Sequence, residues 1–290
     1  MIDICHERSR KPTAPGDSVR GVAAPFTPLH RGGSGSPMVC LHGFTDTWRT
    51  WELVLPALER EHDVLALTLA GHAGGPPLPD PISDSALVDA VEAAMDEAGF
   101  ATAHLVGNSL GGYLALQLAS RGRARSVVAL APAGGWGPGD PRFEDALRHF
   151  ILIRELVEEA APRADKIVST PEGMRRATEI SMVHFEHIPP ELIAHSIRAA
   201  AACDATIPYV KFARDRGWLL DAGRIACPVL VAWGTADNVL DWPTAATRYR
   251  DEWLPDAEWV TLDGVGHCPQ LDVPGPTADL VLAFARRADA

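Results

Sequence analysis

No stretch of the 290 residues approaches the roughly 20 consecutive apolar residues that a membrane-spanning helix needs, so no membrane partner is expected. Positive charge is also short. The 26 Lys and Arg against 38 Asp and Glu leave a formal charge of −12, and they form no clustered cationic surface of the kind that gives affinity for a phosphate backbone. Nucleic acid is therefore excluded as a partner class; for the fold itself the acidic balance says little. Cysteine is sparse and odd in number. Cys5, Cys40, Cys203, Cys227 and Cys268 contain no CxxC pair, which fits neither a disulfide framework nor a zinc site. Cys40 and Cys227 border apolar runs and read as small core residues. Residues 1–17 carry His6, Glu7, Arg8, Arg10 and Lys11 but lack the apolar centre of a secretory signal, so they are expected to be a polar N-terminal arm and the location cytoplasmic.

What is present is ordinary globular composition, 47% hydrophobic and 22% charged. Short apolar runs at 37–41, 64–69, 104–106 and 126–131 are separated by helix-like stretches at 48–58, 83–98 and 110–120, the second with Ser83 as its cap. Strand alternating with helix is the pattern of a parallel sheet covered on both faces. The rhythm stops after Ala131. Residues 133–223 read as helical, with Phe143, Leu147, Phe150 and Ile151 on one face and a new helix starting at Pro189-Pro190. Strand-like runs resume at 228–233 and 259–262, and a last helix covers 277–287. The Gly/Ser stretch 32–36 reads as a loop. The expected organisation is one α/β core, residues 18–132 and 224–290, interrupted by a helical insertion at 133–223.

The sharpest motif is Gly107-Asn108-Ser109-Leu110-Gly111-Gly112, placed between the strand-like AHLV and the helical LGGYLALQLAS. A serine on a tight strand-to-helix turn is lifted above the sheet. The glycines two before and two after it are needed because side chains there would strike the neighbouring strand or helix. In this motif and its context the chain resembles the α/β-hydrolase superfamily, from about Gly21 onward.

That resemblance implies an α/β fold with a mostly parallel, twisted sheet flanked by helices and a helical lid inserted after the sixth strand. It makes Ser109 the nucleophile, and three further segments follow the family's order of Ser, acid, His. His42-Gly43-Phe44, after an apolar run, is similar to the family's His-Gly loop, which implies oxyanion donors at the backbone N–H groups of Phe44 and Leu110 and a structural role for His42. Gly234-Thr235-Ala236-Asp237 resembles the acid loop, with Asp241 as a nearby rival to Asp237. Gly264-Val265-Gly266-His267 resembles the histidine loop, with Asp272 where Glu is more usual; Cys268, next to the base, is expected to point elsewhere. The pattern departs at Thr68-Leu69-Ala70-Gly71-His72, where Asp and Pro are commoner and an extra Gly74-Gly75-Pro76-Pro77 follows, a change read as structural. His184, His187 and His195 lie in the insertion and are expected to be exposed or to line a pocket.

The activity implied is a serine hydrolase of the carboxylesterase type, cleaving a small or medium hydrophobic ester or lactone through an acyl-enzyme, with no metal and no organic cofactor. Asn108, Trp136, Phe143, Phe150, Phe185 and Trp218 are the expected substrate-binding residues. Two readings stay open beside it: a carbon–carbon bond hydrolase acting on a vinylogous diketone, which shares an Asn beside its nucleophile, and a ligand receptor without turnover built on the same scaffold. Serine at the elbow counts against epoxide hydrolase or dehalogenase chemistry, which uses Asp there. Nothing in the sequence specifies an oligomeric state.

Overall fold

The computed structural model describes residues 26–83, 85–136 and 140–290; the N-terminal arm and Cys5 lie outside them. Seven strands form one sheet: β1 (Leu29–Gly33), β2 (Ser36–Leu41), β3 (His62–Leu67), β4 (Ala103–Asn108), β5 (Ala124–Leu130), β6 (Val229–Gly234) and β7 (Glu258–Leu262). Their order is β1-β3-β2-β4-β5-β6-β7, and every pairing is parallel except that of β1 with β3. The helices in chain order are α1 (Leu55–Leu58), α2 (Ala86–Glu97), α3 (Leu110–Ser120), α4 (Pro141–Ala160), α5 (Ala164–Ile167), α6 (Pro171–Thr178), α7 (Pro190–Ala201), α8 (Thr206–Arg216), α9 (Pro269–Asp272) and α10 (Pro274–Asp289).

The central strands are apolar throughout because both faces are buried. In β2, Val39 and Leu41 point into one core with Leu87, Val91 and Met95 of α2 and Leu114 of α3. Met38 and Cys40 point into the opposite core, with Leu55 and Leu58 of α1 and Val281 and Phe284 of α10. This is the two-residue period of a strand shared between two helical layers.

Four expectations need correction. The stretch 32–36, expected to be a loop, instead closes β1 at Gly33 and opens β2 at Ser36; β1, which has no apolar alternation, forms through backbone pairing to β3 at the sheet's edge and is half-exposed. Residues 48–58 are not one helix but a single turn at Trp48–Trp51 followed by α1. Helix α2 starts at Ala86 rather than Ser83, and Ser85 sends its hydroxyl to Asp89 rather than to a backbone N–H. Finally, among the described residues five strands precede α4, so the helical run α4–α8 follows the fifth and not the sixth.

The run α4–α8 contains no strand among its described residues. It packs as two small apolar clusters. Leu147 of α4 meets Val210 and Ala213 of α8, with Phe44 of the β2 loop against them. Ile188 and, on α7, Leu192, Ile193 and Ile197 meet Val168 and Leu271 of α9. Each cluster is thus anchored on a loop at the carboxyl edge of the sheet.

The order β3-β2-β4 places a switch point between β2 and β4, since the chain leaves β2 toward β3 and leaves β4 toward β5. A crevice opens at the carboxyl ends of strands at such a point. There α3 packs hard onto the sheet. A Cβ on Gly111 would lie 2.1 Å from the carbonyl oxygen of Leu41, and one on Gly107 would lie 2.1 Å from that of Gly111. Gly122, by contrast, has φ +76 with open space around it. Gly111→Ala is expected to cost about 3 kcal/mol or more through backbone overpacking, against about 1–2 kcal/mol of left-handed strain for Gly122→Ala. Urea unfolding of both variants measures the difference; equal costs would refute the contact argument.

Candidate active site

Ser109 joins β4 to α3 with φ 54 and ψ −117, a conformation disfavoured for any residue with a Cβ. Its N–H donates to Leu130 O at 2.9 Å, while its carbonyl accepts from Tyr113 N at 3.1 Å and Ala133 N at 3.0 Å. Among the described residues, the other non-glycine positions with positive φ are Thr45 and Ala131. All three lie just past the carboxyl ends of β2, β4 and β5. Backbone strain collected at one edge of a sheet marks a site worth assigning.

The loop after β2 brings Phe44 beside Ser109. Gly43 is close enough that a Cβ there would sit 3.3 Å from the Ser109 Cβ. His42 is buried and used up in bracing: Nδ1–H donates to Gly43 O at 2.6 Å and Nε2 accepts from Leu69 N at 2.9 Å. Burial, and then the neighbouring His72, hold His42 well below its usual range, so it stays neutral. The His72 ring packs edge-on against both His42 and Phe44. The divergent loop at 68–77 therefore buttresses the turn.

Asp237 follows β6 and His267 follows β7. His267 Nδ1 and Asp237 Oδ2 are 2.7 Å apart, and Asp237 Oδ1 accepts from Val239 N and Leu240 N, each at 2.8 Å. Both residues are 5% exposed. Asp241 is exposed and accepts a hydrogen bond from the Thr244 hydroxyl instead. His267 and Ser109 line one cavity of about 220 Å³, walled by Phe150, Ile153, Ile193 and Ile197.

The histidine loop is tied down from two sides. Asn108 Nδ2 donates to His267 O at 2.9 Å and to Leu130 O at 3.2 Å, and its Oδ1 accepts from Gln270 Nε2 at 3.1 Å. Asn108, an expected substrate-binding residue, lines the larger cavity beside Ser109, and its amide also holds the histidine loop against β4 and β5. Asp272 is 1% exposed and accepts from Gly266 N at 2.7 Å, Val183 N at 2.8 Å and His184 N at 2.5 Å. It clamps the histidine loop to the segment between α6 and α7. Cys268 donates its thiol to Asn108 Oδ1 at 3.6 Å, and burial among Asp46, Asp237 and Asp272 raises it far above the thiol range, so it is held protonated.

Of the remaining expected contacts, Trp136, Phe143, Phe150 and Trp218 line a second, smaller cavity that also touches Ser109. Phe185 lines neither; it packs into the cluster around Ile193. His184 and His187 are exposed, and His195 is buried against the Thr47 hydroxyl. Sequence reasoning missed Asp46 and His149, which line the larger cavity. Nothing in the periodicity marks either one. Burial raises Asp46 to about 6, opposed by hydrogen bonds from the Thr47 N–H and the Thr50 hydroxyl. Among the described residues no cluster of three His, Cys, Asp or Glu could hold a metal ion, and no helix is long and apolar enough to cross a membrane.

With this geometry in view, the family is plain. Residues 38–280 match the model of the Alpha/beta hydrolase family, and the chain belongs to that family. It is 33% identical to "Epoxide hydrolase EphH" of Mycobacterium tuberculosis over 70% of this chain and 95% of that protein. It is 25% identical to the 2-hydroxymuconate semialdehyde hydrolase of a Pseudomonas species, over 91% of this chain and 92% of the relative. Among solved structures, a bacterial membrane phospholipase A superposes with a TM-score of 0.71 at 23% identity, covering 90% of this chain and 82% of that one. An N-acyl homoserine lactone degrading enzyme, Est816, superposes with a TM-score of 0.64 at 24% identity, covering 88% and 95%.

Asp272→Asn puts an amide N–H where a backbone N–H now finds an acceptor. It is expected to cost about 2–3 kcal/mol and to raise amide exchange at Gly266 and His184; unchanged exchange at both would refute the clamp. A pH dependence also follows. His72 falls from the ordinary 6.5 to about 4, as does His195, each chiefly through burial. The unfolded chain binds those protons first, so stability is full above pH 6.5 and is lost as pH falls toward 4, by roughly 3 kcal/mol for a shift of this size. Asp46 acts oppositely, regaining stability as pH falls from 6 toward 3.8. Urea midpoints are expected to decline from pH 6.5 to 4, with a shallower decline in His72→Gln.

Proposed function

We propose that the chain is a serine hydrolase that cleaves a small or medium hydrophobic ester or lactone through an acyl-enzyme. The observation that carries this reading is the 2.7 Å contact between His267 Nδ1 and Asp237 Oδ2, with His267 and Ser109 opening onto one apolar cavity. Two backbone N–H groups fix the second oxygen of Asp237, so its carboxylate holds the imidazole in one orientation and tautomer. His267 then takes the Ser109 proton as Oγ attacks the substrate carbonyl. The N–H groups of Phe44 and Leu110 receive the charge that develops on oxygen; one such donor is worth about 10²–10³ in rate. His267 gives the proton to the leaving alcohol, then activates water to release the acid. Residues 133–223 act as a lid that shields the cavity from water.

A second reading, carbon–carbon bond hydrolysis of a vinylogous diketone, is favoured by the similarity to 2-hydroxymuconate semialdehyde hydrolase. Epoxide opening, despite the name of the 33% identical relative, runs against the chemistry of Ser109. Attack by a serine on an epoxide leaves a stable ether, whereas a carboxylate leaves an ester that water can cleave.

Ser109→Ala is expected to lower kcat on an activated p-nitrophenyl ester by about 10⁶ and Asp237→Asn by about 10⁴, while Asp241→Asn stays near wild type. Fluorophosphonate labelling located by mass spectrometry should fall on Ser109. Turnover of a ring-cleavage dienoate in place of every ester and lactone would select the carbon–carbon reading.

A further inference from the structure

Ser109 stands between two cavities of unequal size. The smaller, about 40 Å³, is lined by Leu110, Trp136, Phe143, Leu147, Tyr209 and Trp218. The larger, about 220 Å³, is lined by His267 with Ile153, Val157, Ile193 and Ile197. Ser109, Phe44 and Phe150 line both, and the two phenyl rings meet edge-on with centroids 5.1 Å apart. They form a partition above the nucleophile.

On the serine-hydrolase reading, which this inference extends, proton transfer decides which half of an ester enters which lobe. The Ser109 Oγ–carbon bond forms, the Ser109 proton passes to His267, and that proton must reach the ester oxygen as its bond to carbon breaks. His267 opens on the larger lobe alone, so the departing alkoxy group has to lie there. Leu110, whose N–H serves the carbonyl oxygen, opens on the smaller lobe, leaving that space for the acyl substituent. We infer that the substrate is an ester of a short acid and a bulky apolar alcohol: the acyl chain fills the lobe walled by Trp136, Leu147 and Trp218, and the alcohol fills the lobe walled by Ile153 and Ile197. A water needs about 10–15 Å³ of such space, so the small lobe takes about three to four non-hydrogen atoms and the large lobe about fifteen or more.

The test uses the full chain and two ester sets. In p-nitrophenyl esters from acetyl to octanoyl, kcat/KM should hold through butyryl and fall about ten-fold or more by octanoyl, as expected for overfilling a packed pocket. In a pair with matched intrinsic reactivity, 2-phenylethyl butyrate should exceed propyl 3-phenylpropanoate by a similar factor. Leu147→Ala should move the acyl limit to longer chains, and Ile153→Phe should lower the ratio of kcat/KM for 2-phenylethyl acetate to that for ethyl acetate. A flat acyl series, or the reverse preference in the matched pair, overturns the inference provided fluorophosphonate labels Ser109. If Ser109 is not labelled and no ester turns over, the serine-hydrolase reading itself fails and the assignment of lobes falls with it.

Discussion

The close approach of α3 to β2 and β4 is the constraint on which the rest of the structure depends. With a carbonyl oxygen 2.1 Å from where a Cβ would be at both Gly107 and Gly111, no side chain fits there, and the turn between them must be abrupt. The residue at its apex takes φ 54. Such strain costs of order 1–3 kcal/mol and persists only where its surroundings over-determine it. Here they do. Three backbone hydrogen bonds to β5, α3 and the segment after β5 hold Ser109, and both helical layers press on the sheet beneath. The residue that carries the hydroxyl is therefore fixed by packing and by its backbone hydrogen bonds.

The other half of the site is held by polar ties instead. His267 sits on a loop between buried Val265 and Leu271, and Asn108, Asp237 and Asp272 hold it by hydrogen bonds. Each is buried, and each binds backbone N–H or carbonyl groups, which cannot rotate away as side-chain partners can. Asp272 also accepts from residues 183 and 184, so the histidine loop and the segment between α6 and α7 are one hydrogen-bonded unit. A disturbance of that segment reaches the imidazole without passing through the sheet.

These two modes of support explain what could be read from sequence. Strands β2 to β6 and helix α3 are legible because burial on both faces leaves apolar runs and because glycine spacing records a backbone contact directly, whereas β7, a half-exposed edge strand, is legible only through its short run Trp259-Val260-Thr261-Leu262. Ser109, His267 and Asp237 were visible through loops that follow such strands. β1 was not, since an edge strand held by backbone bonds alone needs no apolar alternation. The roles of Asn108 and Asp272 were not either: Asn108 touches a residue 159 positions away and Asp272 one 89 positions away, and a side chain that satisfies distant backbone leaves no local pattern. Phe185 was misplaced for a related reason. It lies in the non-helical stretch between α6 and α7, where no periodicity says whether a ring faces a cavity or a neighbouring helix.

Helix α4 resolves part of that ambiguity. Its apolar stripe runs through Phe143, Leu147 and Phe150 along the small cavity and continues through Ile153 and Val157 along the large one. The spacing of three and four residues keeps all five on one face, so one straight helix crosses from one lobe to the other, with Phe150 as the crossing point above Ser109. The helix contacts α8 on one side and α7 on the other. The walls facing it differ, Val210 and Ala213 in one cluster and Ile193 and Ile197 in the other. Volume in either lobe can therefore change by substitution on α8 or α7 without moving the partition. The support of Ser109 lies in the sheet and the lobes' walls lie in the helices, so the space the two cavities offer is separable from the geometry that holds Ser109.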